Sequence, residues 1–346
     1  MSSKMKAVVY LGKNRLAVQD TPVPEIGEEE ALVKVMCAGI CGTDLHIHAG
    51  KHPRAKPPLI MGHEFSGVVA AINTRRRPEL AVGARVVGEP LIECGQCAAC
   101  RSGFGHVCQK LGLYGIDRDG AFAEYVKLPV DTLWPFPDNL SFEEAAMIEP
   151  LAMAVHAVRM SPLQVGDAVF VQGAGPIGLL AALVARQAGA GSVTISEREP
   201  FRLALAREYG LDAVDACQED AAAAAMARTR GRGADVVFEA AGAPATIWES
   251  PKLCRPRATI MQVSMPKDPI PCDIVGITFR ELTIKGVRVY AAYDFERAIA
   301  LAGGGAVDLS KMMTPPLKLD DAEKAFALAR EGKGVMRVLF RISGEG

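Results

Sequence analysis

The stretch AVFVQGAGPIGLLAALVARQAG, residues 168–189, sets the fold of the central part of this chain. A strand-like apolar run leads into Gly173, Gly175 and Gly178, which have the spacing GxGxxG, and a long apolar helix follows. At such a turn the first glycine permits the sharp change of direction and the second lets the backbone approach a pyrophosphate. The third lets the helix pack closely on the strand, and the helix N-terminus attracts the phosphates. The stretch therefore predicts a dinucleotide-binding site.

On the C-terminal side of this turn, strand-like and helical segments alternate. The strand-like runs are SVTIS (192–196), ADVVFEA (234–240), ATIMQVS (258–264) and LTIKGV (282–287). This alternation is typical of a parallel, doubly wound sheet. We therefore predict an α/β protein with a Rossmann domain over residues 156–289.

The cofactor prediction depends on the end of the second strand. Glu197 lies nineteen residues beyond Gly178, where a carboxylate accepts hydrogen bonds from the ribose hydroxyls of NAD and repels the 2′-phosphate of NADP. Arg198 complicates this, since an arginine there can pair with a 2′-phosphate, and Arg202 could bind the adenosine end of either cofactor. The sequence predicts NAD, with NADP as the alternative.

The two ends of the chain have a different texture. Residues 1–155 contain short β-branched runs separated by Gly and Pro, which indicate a largely antiparallel, β-rich domain. Ser141 and Glu144 form a predicted capping box at the start of a helical segment. Residues 290–346 show two amphipathic helices and one strand, too little for a separate domain. We expect them to complete the first domain.

Four of the nine cysteines, Cys94, Cys97, Cys100 and Cys108, fall within fifteen residues with the spacing C-x2-C-x2-C-x7-C. Four thiolates satisfy tetrahedral zinc and leave no open position, as in a structural site. A bacterial iron–sulfur run would have a three-residue last gap followed by Pro, and here the gap is seven and Gln109 follows. A DNA-binding zinc ribbon is disfavoured by the charge balance. The pattern predicts structural zinc.

A second set of metal-ligating residue types consists of Cys41 in GICGTD, His63 and Glu64 in GHEFSG, and Glu149 in EPLAMAVHA. A catalytic zinc needs three protein ligands and one open position. Adjacent strand residues point to opposite faces, so His63 and Glu64 could share one ion only if the backbone is irregular there. Taken singly, each of these residues is more often a buried thiol, a core histidine or a helix-terminal charge.

As an ordered set, the motifs GICGTD, GHEFSG, the four-cysteine lobe, GAFAEYV, EPLAMAVHA and GAGPIG resemble the zinc-containing medium-chain alcohol dehydrogenases over essentially the whole chain. The closest likeness is to the branch of sorbitol and other polyol, butanediol and threonine dehydrogenases. The resemblance implies a GroES-like β-rich catalytic domain formed by both ends of the chain around the Rossmann domain. It also implies a catalytic and a structural zinc per subunit and a homo-oligomer, either a dimer or a tetramer.

The chain departs from the better-known alcohol dehydrogenases of this family at the third zinc ligand. It has no cysteine between Cys108 and Cys217, and Glu149 occupies that region, as in the polyol branch. The resemblance therefore implies Cys41, His63 and Glu64 as ligands of the catalytic zinc. Glu149 is either a fourth ligand or the residue that holds the water bound to the metal.

The implied chemistry is NAD-linked oxidation of an alcohol. Zinc would lower the pKa of the substrate hydroxyl, and the nicotinamide would accept a hydride. Thr43 and His46 match the proton-relay positions of threonine dehydrogenase and would share a face if their segment is helical, although His46 could equally be a surface histidine. Apolar residues that match cofactor-lining positions of the family are Ile177, Val263 and Val287.

Substrate and setting follow less directly. The carboxylate-rich metal site favours a small polar secondary alcohol, first a sugar alcohol or related polyol, with threonine or a vicinal diol such as 2,3-butanediol as the alternative. The net charge of −1 argues against nucleic acid or an anionic membrane as partner. Nine cysteines without an export signal predict reduced thiols and a cytoplasmic protein. A zinc-free reductase, a regulatory zinc module and a structural protein recruited from the family are the rival functions.

Overall fold

The computed structural model describes residues 3–266 and 268–344 and divides into two compact units. One unit contains Met1–Glu149 and Ala291–Gly346, and the other contains Pro150–Tyr290. The boundaries at 149/150 and 290/291 differ slightly from the predicted 155/156 and 289/290. The first falls inside a helix, Ile148–Met160, so no loop marks the change of unit there.

The N-terminal part of the first unit is β-rich. Its strands are β1 Lys4–Gly12, β2 Arg15–Pro22, β3 Glu30–Gly39, β4 Leu59–Ile60, β5 Glu64–Asn73, β6 Arg85–Gly88, β7 Leu91–Ile92, β8 Gly112–Leu113, β9 Tyr125–Pro129 and β10 Leu133–Pro135. Its helices are α1 Gly42–His48, α2 Ala98–Arg101, α3 Phe142–Ala145 and the start of α4 Ile148–Met160. The predicted capping box is present, because Glu144 N donates to Ser141 Oγ and Ser141 N donates to Glu144 Oε2.

The second unit is an α/β sheet. Its strands are β11 Ala168–Gln172, β12 Ser192–Glu197, β13 Asp212–Asp215, β14 Ala234–Glu239, β15 Cys254–Gln262 and β16 Thr283–Gly286. Its helices, after α4, are α5 Pro176–Gln187, α6 Pro200–Glu208, α7 Ala221–Arg228, α8 Pro244–Leu253 and α9 Ile274–Phe279. The strand order is β13-β12-β11-β14-β15-β16 and every neighbouring pair is parallel, which confirms the predicted doubly wound Rossmann sheet.

The chain then returns to the first unit through α10 Ala292–Gly303, α11 Ala322–Glu331 and β17 Leu339–Arg341. In the larger sheet of this unit, with the order β10-β6-β5-β3-β17, β17 pairs antiparallel with β3. The buried ring of Phe122 meets Phe326 of α11 and Phe340 of β17 edge to face, with centroids 6.1 and 5.1 Å apart. The C-terminal segment therefore supplies both a strand and core side chains to the first unit.

Candidate active site and metal centres

Strand pairing assembles the first cluster of candidate ligands. Donor atoms of Cys41, His63 and Glu64 all lie within 4.8 Å of one another. In the antiparallel pair of β3 and β5, Gly39 is opposite Glu64. Cys41, two residues beyond Gly39, and His63, one residue before Glu64, therefore reach the same place although they are twenty-two residues apart in sequence.

The backbone just before β5 is irregular. The sequence predicts this irregularity if His63 and Glu64, which are adjacent in sequence, are to bind one ion. The strand begins at Glu64, and Gly62 has φ = +94°, a conformation that favours glycine. A Cβ atom on Gly62 would lie 2.5 Å from the Phe122 ring, so a larger residue would also clash. The turn at Gly62 lets His63 and Glu64 face the same cluster.

Asp44 contacts two of the three candidate ligands, Cys41 and His63. Its Oδ2 accepts a hydrogen bond from Cys41 N at 2.8 Å, and its Oδ1 lies 3.7 Å from His63 Nδ1. Burial raises the pKa of Asp44. Burial disfavours the charged form of His63, but the charges of Asp44 and Cys41 outweigh it and raise the pKa of His63 well above its usual value. The cluster is thus a buried, acidic environment that favours a cation.

Arg337 lies on the other side of the cluster. Its guanidinium pairs with Glu64 Oε2 and donates to Ile40 O at 3.2 Å, and both side chains of the pair are buried. Burial opposes the charge of Arg337, but Glu64, Cys41, Glu149 and Asp44 outweigh it and raise the pKa of Arg337. The pair fixes one oxygen of Glu64 and balances part of the negative charge.

The residues present fit a catalytic zinc. A thiol, an imidazole and a carboxylate are zinc ligands, and three protein ligands leave one position open. His63 Nδ1 and Asp44 Oδ1 are buried without a hydrogen-bond partner, and a histidine that faces a carboxylate through one nitrogen offers the other nitrogen to a metal. The same fit does not extend to Glu149. Among the described residues, the ligand atoms that lie within 4.8 Å of one another belong to Cys41, His63 and Glu64, and Glu149 is outside this set. The charge of Glu149 does contribute to the raised pKa of Arg337.

The two candidate relay residues lie on one short helix. Thr43 and His46 are three residues apart on α1, as the relay hypothesis requires. Thr43 Oγ1 lies 3.8 Å from Cys41 Sγ, whereas His46 is exposed to solvent. The helix therefore connects the ligand cluster to the surface.

The four-cysteine lobe forms the second cluster. The sulfur atoms of Cys94 and Cys100 are 4.0 Å apart, those of Cys97 and Cys100 3.5 Å, and those of Cys97 and Cys108 3.9 Å. Tetrahedral zinc with Zn–S bonds of about 2.3 Å requires sulfur atoms about 3.8 Å apart. Backbone N–H groups of Cys100 and Gln109 lower the pKa of Cys97 to about 6, whereas burial raises the pKa of the neighbouring Cys100 to about 12. The lobe fits a closed, structural zinc site.

The dinucleotide turn has the geometry that its glycines predict. Gly173 has φ = +92°, Gly175 caps α5, and a Cβ atom on Gly178 would lie 2.0 Å from Gly173 O. Glu197 Oε2 accepts a hydrogen bond from Ala174 N at 2.8 Å, and its Oε1 accepts from Arg198 N and Glu199 N at 2.7 and 3.0 Å. The carboxylate is therefore fixed beside the Gly-rich turn.

The remaining predicted cofactor residues lie around the same sheet edge. Arg202 is on the first turn of α6, and its Nη1 lies 3.8 Å from the position a Cβ atom would take on Gly175. Ile177 is half-buried on α5. Val263 and Val287 follow directly after β15 and β16, where they donate to Glu239 O and Gln262 O. The carboxyl ends of parallel strands are where open α/β sheets bind ligands.

Three residues with clear roles were missed by sequence reasoning. Asp44 lies within the GICGTD motif, and only its contact with His63 shows its role. Arg337 is distant in sequence from Glu64 and no local pattern marks it. Glu239 is fully buried, and its Oε1 accepts from Gly242 N at 2.9 Å and Thr246 Oγ1 at 2.7 Å, which fixes the loop after β14.

Sequence comparison identifies the family. Residues 27–138 match the alcohol dehydrogenase GroES-like domain, and residues 176–303 match the zinc-binding dehydrogenase family. An L-threonine 3-dehydrogenase of Bacillus velezensis is 36% identical over 343 residues, covering 96% of this chain and 98% of the relative. A sorbitol dehydrogenase of Bacillus subtilis is 34% identical over 336 residues, covering 95% and 94%.

A solved structure agrees with these relatives. A protein of Sinorhizobium meliloti 1021, described as a zinc-binding dehydrogenase and bound to NADP, has a TM-score of 0.91 and 34% identity, covering 98% of this chain and 100% of that chain. The chain therefore belongs to the zinc-containing medium-chain alcohol dehydrogenases, a family of oxidoreductases. Within the described residues, each helix falls short of the length and apolar character needed to cross a membrane.

Proposed function

We propose that this protein oxidises a secondary hydroxyl of a polyol to the ketone, with NAD as the hydride acceptor. The observation that carries the proposal is the buried cluster of Cys41, His63 and Glu64. These three residues would hold a catalytic zinc, and Cys94, Cys97, Cys100 and Cys108 would hold a structural one. A bound zinc supplies Lewis acidity that makes an alcohol easier to deprotonate, and a bound nicotinamide supplies the hydride acceptor.

The protein's own residues orient the ligands and move the proton. Asp44 faces Nδ1 of His63 and Arg337 pairs with Glu64, so each ligand has a charged partner that sets its orientation. Thr43, close to Cys41, would accept the proton of the substrate hydroxyl on Oγ1 while passing its own to His46. His46 is exposed, so it can release the proton to solvent.

Glu149 has the role of orienting a water molecule in this proposal. Its carboxylate contributes to the field on Arg337, but it stands outside the group of donor atoms that meet within 4.8 Å. A carboxylate near a zinc site that is not a ligand can hydrogen-bond water or substrate. The alternative, a fourth direct ligand, would require Glu149 to move toward Cys41 and His63.

A polyol is favoured by a site with a single thiolate and several carboxylates, because polar groups around it can bind further hydroxyls. The sorbitol dehydrogenase of B. subtilis is consistent with this choice. Threonine is the alternative and has comparable support, since the relative from B. velezensis is an L-threonine 3-dehydrogenase. 2,3-Butanediol shares the same secondary hydroxyl.

NAD is favoured by Glu197. Three backbone N–H groups fix its carboxylate beside the Gly-rich turn. A negative charge fixed there would repel the 2′-phosphate of NADP, which NAD lacks. The S. meliloti protein binds NADP, and Arg198 and Arg202 are the residues that would favour NADP in this chain. The ratio of the rates with the two cofactors decides between them.

The protein would act as a homo-oligomer in the cytoplasm. Strand β16 ends the parallel sheet, and its Ile284 is 45% exposed. Phe279, at the end of the preceding helix α9, is 86% exposed, and two such apolar side chains suit burial against a second copy. A cytoplasmic location is supported by the free thiols of the four-cysteine lobe, which bind zinc only when reduced. Light scattering coupled to gel filtration tests the assembly.

The test is a panel of initial rates. NAD or NADP reduction is followed with sorbitol, xylitol, 2,3-butanediol, threonine and 2-propanol, before and after treatment with a chelator. We expect a chelator-sensitive rate that is highest with a polyol and NAD. A highest rate with threonine would replace the polyol. No rate with any alcohol in protein that contains two zinc ions would favour a structural role without turnover.

A further inference from the structure

The first unit contains a cavity of about 310 Å³ that is lined in part by the segment of the chain that precedes His63. Two segments of the chain line it, one before β4 and one after β8. The lining residues are Arg54, Lys56, Pro58, Leu59, Ile116, Asp117, Arg118 and Asp119. Three of these eight carry a positive charge and two a negative charge.

The cavity wall and the metal-binding segment share one stretch of backbone. Asp119 Oδ1 accepts from Ile60 N at 2.9 Å, and Ala121 N donates to Gly62 O at 2.9 Å. Leu59 of the cavity wall also precedes His63 by only four residues in the sequence. The cavity wall is therefore joined by hydrogen bonds to the short stretch of backbone that carries His63.

Both carboxylates of the cavity are already used by the protein. Asp119 accepts the N–H of Ile60, and Asp117 Oδ2 accepts the N–H of Leu113 at 2.9 Å. Asp117 Oδ2 also pairs with Arg54 Nη2 at 3.3 Å, and Arg54 donates to Leu111 O. Arg54, Asp117 and Asp119 thus hold the two segments together, and the positive charge of Arg54 offsets one of the two carboxylates.

Two cations remain. Lys56 is exposed and, across residues 3–266 and 268–344, makes no hydrogen bond or ion pair. Arg118 is also exposed, and its guanidinium lies beside the neutral hydroxyl of Tyr114. Within the described residues neither Lys56 nor Arg118 has an ion-pair partner, and the lining, with three cations and two carboxylates, keeps one net positive charge.

We propose that this cavity binds an acidic group of the substrate, a carboxylate or a phosphate, through Arg118 and Lys56. An arginine guanidinium binds either group with two parallel hydrogen bonds, and a lysine adds a mobile point charge. The preferred substrate is then a polyol that also carries an anionic group. This inference rests on the proposed dehydrogenase function and narrows its substrate class from polyols in general to anionic polyols.

The test compares alcohols that differ in one charged group. Sorbitol is paired with sorbitol 6-phosphate, and 2-butanol with 3-hydroxybutyrate, so phosphate and carboxylate are tested separately. The expected kcat/KM of the wild type is at least about tenfold higher for the anionic member of one pair. In the double variant Lys56→Gln/Arg118→Gln that preference is lost, while kcat/KM for the neutral member changes by less than about twofold. Arg75→Gln removes an exposed cation outside the cavity and should change neither rate.

Two results would overturn the anion site. One is a wild type that uses the neutral member of each pair at least as well as the anionic member. The other is a double variant that loses the same fraction of kcat/KM with both members, since a general structural defect would do this.

Calorimetric titration with inorganic phosphate separates the site from the proposed function. Zinc-loaded wild type should bind phosphate in the millimolar range, and the double variant at least about tenfold more weakly. If no alcohol is oxidised, the dehydrogenase proposal fails and this titration still decides the site. Equal binding, or no binding, by the two proteins overturns it.

Discussion

The two candidate zinc clusters of the first unit are built in opposite ways. The four-cysteine lobe takes all its ligands from one stretch of fifteen residues, and three of the four thiols are partly exposed. The cluster of Cys41, His63 and Glu64 is largely buried, mixes three ligand types and depends on Asp44 and Arg337. Only the mixed cluster has fewer than four candidate ligands. It also has charged neighbours, Asp44 and Arg337, that orient the ligand side chains.

The difference shows what each arrangement can do. Four thiolates complete the coordination of zinc, so the lobe can contribute stability but has no position for a substrate. Three ligands of mixed type leave a position open, and a buried environment strengthens every charge around it. Local sequence is enough for the first arrangement, whereas the second requires the sheet. Variants in the two clusters should therefore fail in different ways.

The largest effect is expected for Cys41→Ser, which removes the only thiolate of the mixed cluster. We expect kcat/KM to fall by at least about 10³-fold, because the substrate hydroxyl loses its Lewis acid. Zinc analysis should show one ion in place of two, with the melting temperature nearly unchanged. The control is Cys272→Ser, a half-buried cysteine outside both clusters. Full activity of Cys41→Ser would exclude Cys41 as a ligand.

Cys97→Ser should instead affect stability. Loss of one of four thiolates weakens the structural site, whose metal-binding energy contributes directly to folding. We expect a melting temperature lower by roughly 10 °C and a weakened assembly, as measured by calorimetry and gel filtration. The protein that remains folded should keep most of its turnover per catalytic zinc. An unchanged melting temperature with loss of turnover would reverse the roles of the two clusters.

Glu149→Ala tests whether Glu149 orients a water molecule or binds zinc directly. If Glu149 orients water, kcat should fall by about 10²-fold while both zinc ions and the fold are retained. Loss of the catalytic zinc in this variant would show that Glu149 is a direct ligand. Full activity with full zinc content would mean that Glu149 has neither role.

The smallest effect concerns Glu89, which lies just before the four-cysteine lobe. Burial raises the pKa of Glu89 from 4.5 to about 7, against the opposing hydrogen bond from Trp134. The folded state therefore binds the proton more tightly than the unfolded state. The resulting stability is fully present below about pH 4.5 and is lost as the pH rises through 7.

Glu89→Gln removes this titration and keeps an acceptor for Trp134. Melting temperatures at several pH values should fall less steeply between pH 5 and 7.5 in the variant than in the wild type. Over this interval the wild type should lose about 1–3 kcal/mol more of its free energy of unfolding than the variant. Parallel curves would show that Glu89 does not titrate in this range.

Much of the molecule could be predicted because the signals are local. The GxGxxG turn and the alternation of strands and helices specify the Rossmann sheet. Each strand or helix can be recognised from the spacing of its own apolar residues and from the turn residues at its ends. The spacing of four cysteines specifies a metal site because a short chain between ligands keeps their sulfur atoms close.

Other features depend on contacts between distant residues. Pairing of Gly39 with Glu64 brings Cys41 to His63, and β17 brings in the segment that carries Arg337. The meeting of two distant segments also brings Lys56 and Arg118 to one cavity. By itself the sequence determined the fold class, the dinucleotide turn and the residue types of both zinc clusters. Tertiary structure alone decided which charges surround the mixed cluster and the cavity, because strand register and burial set those distances.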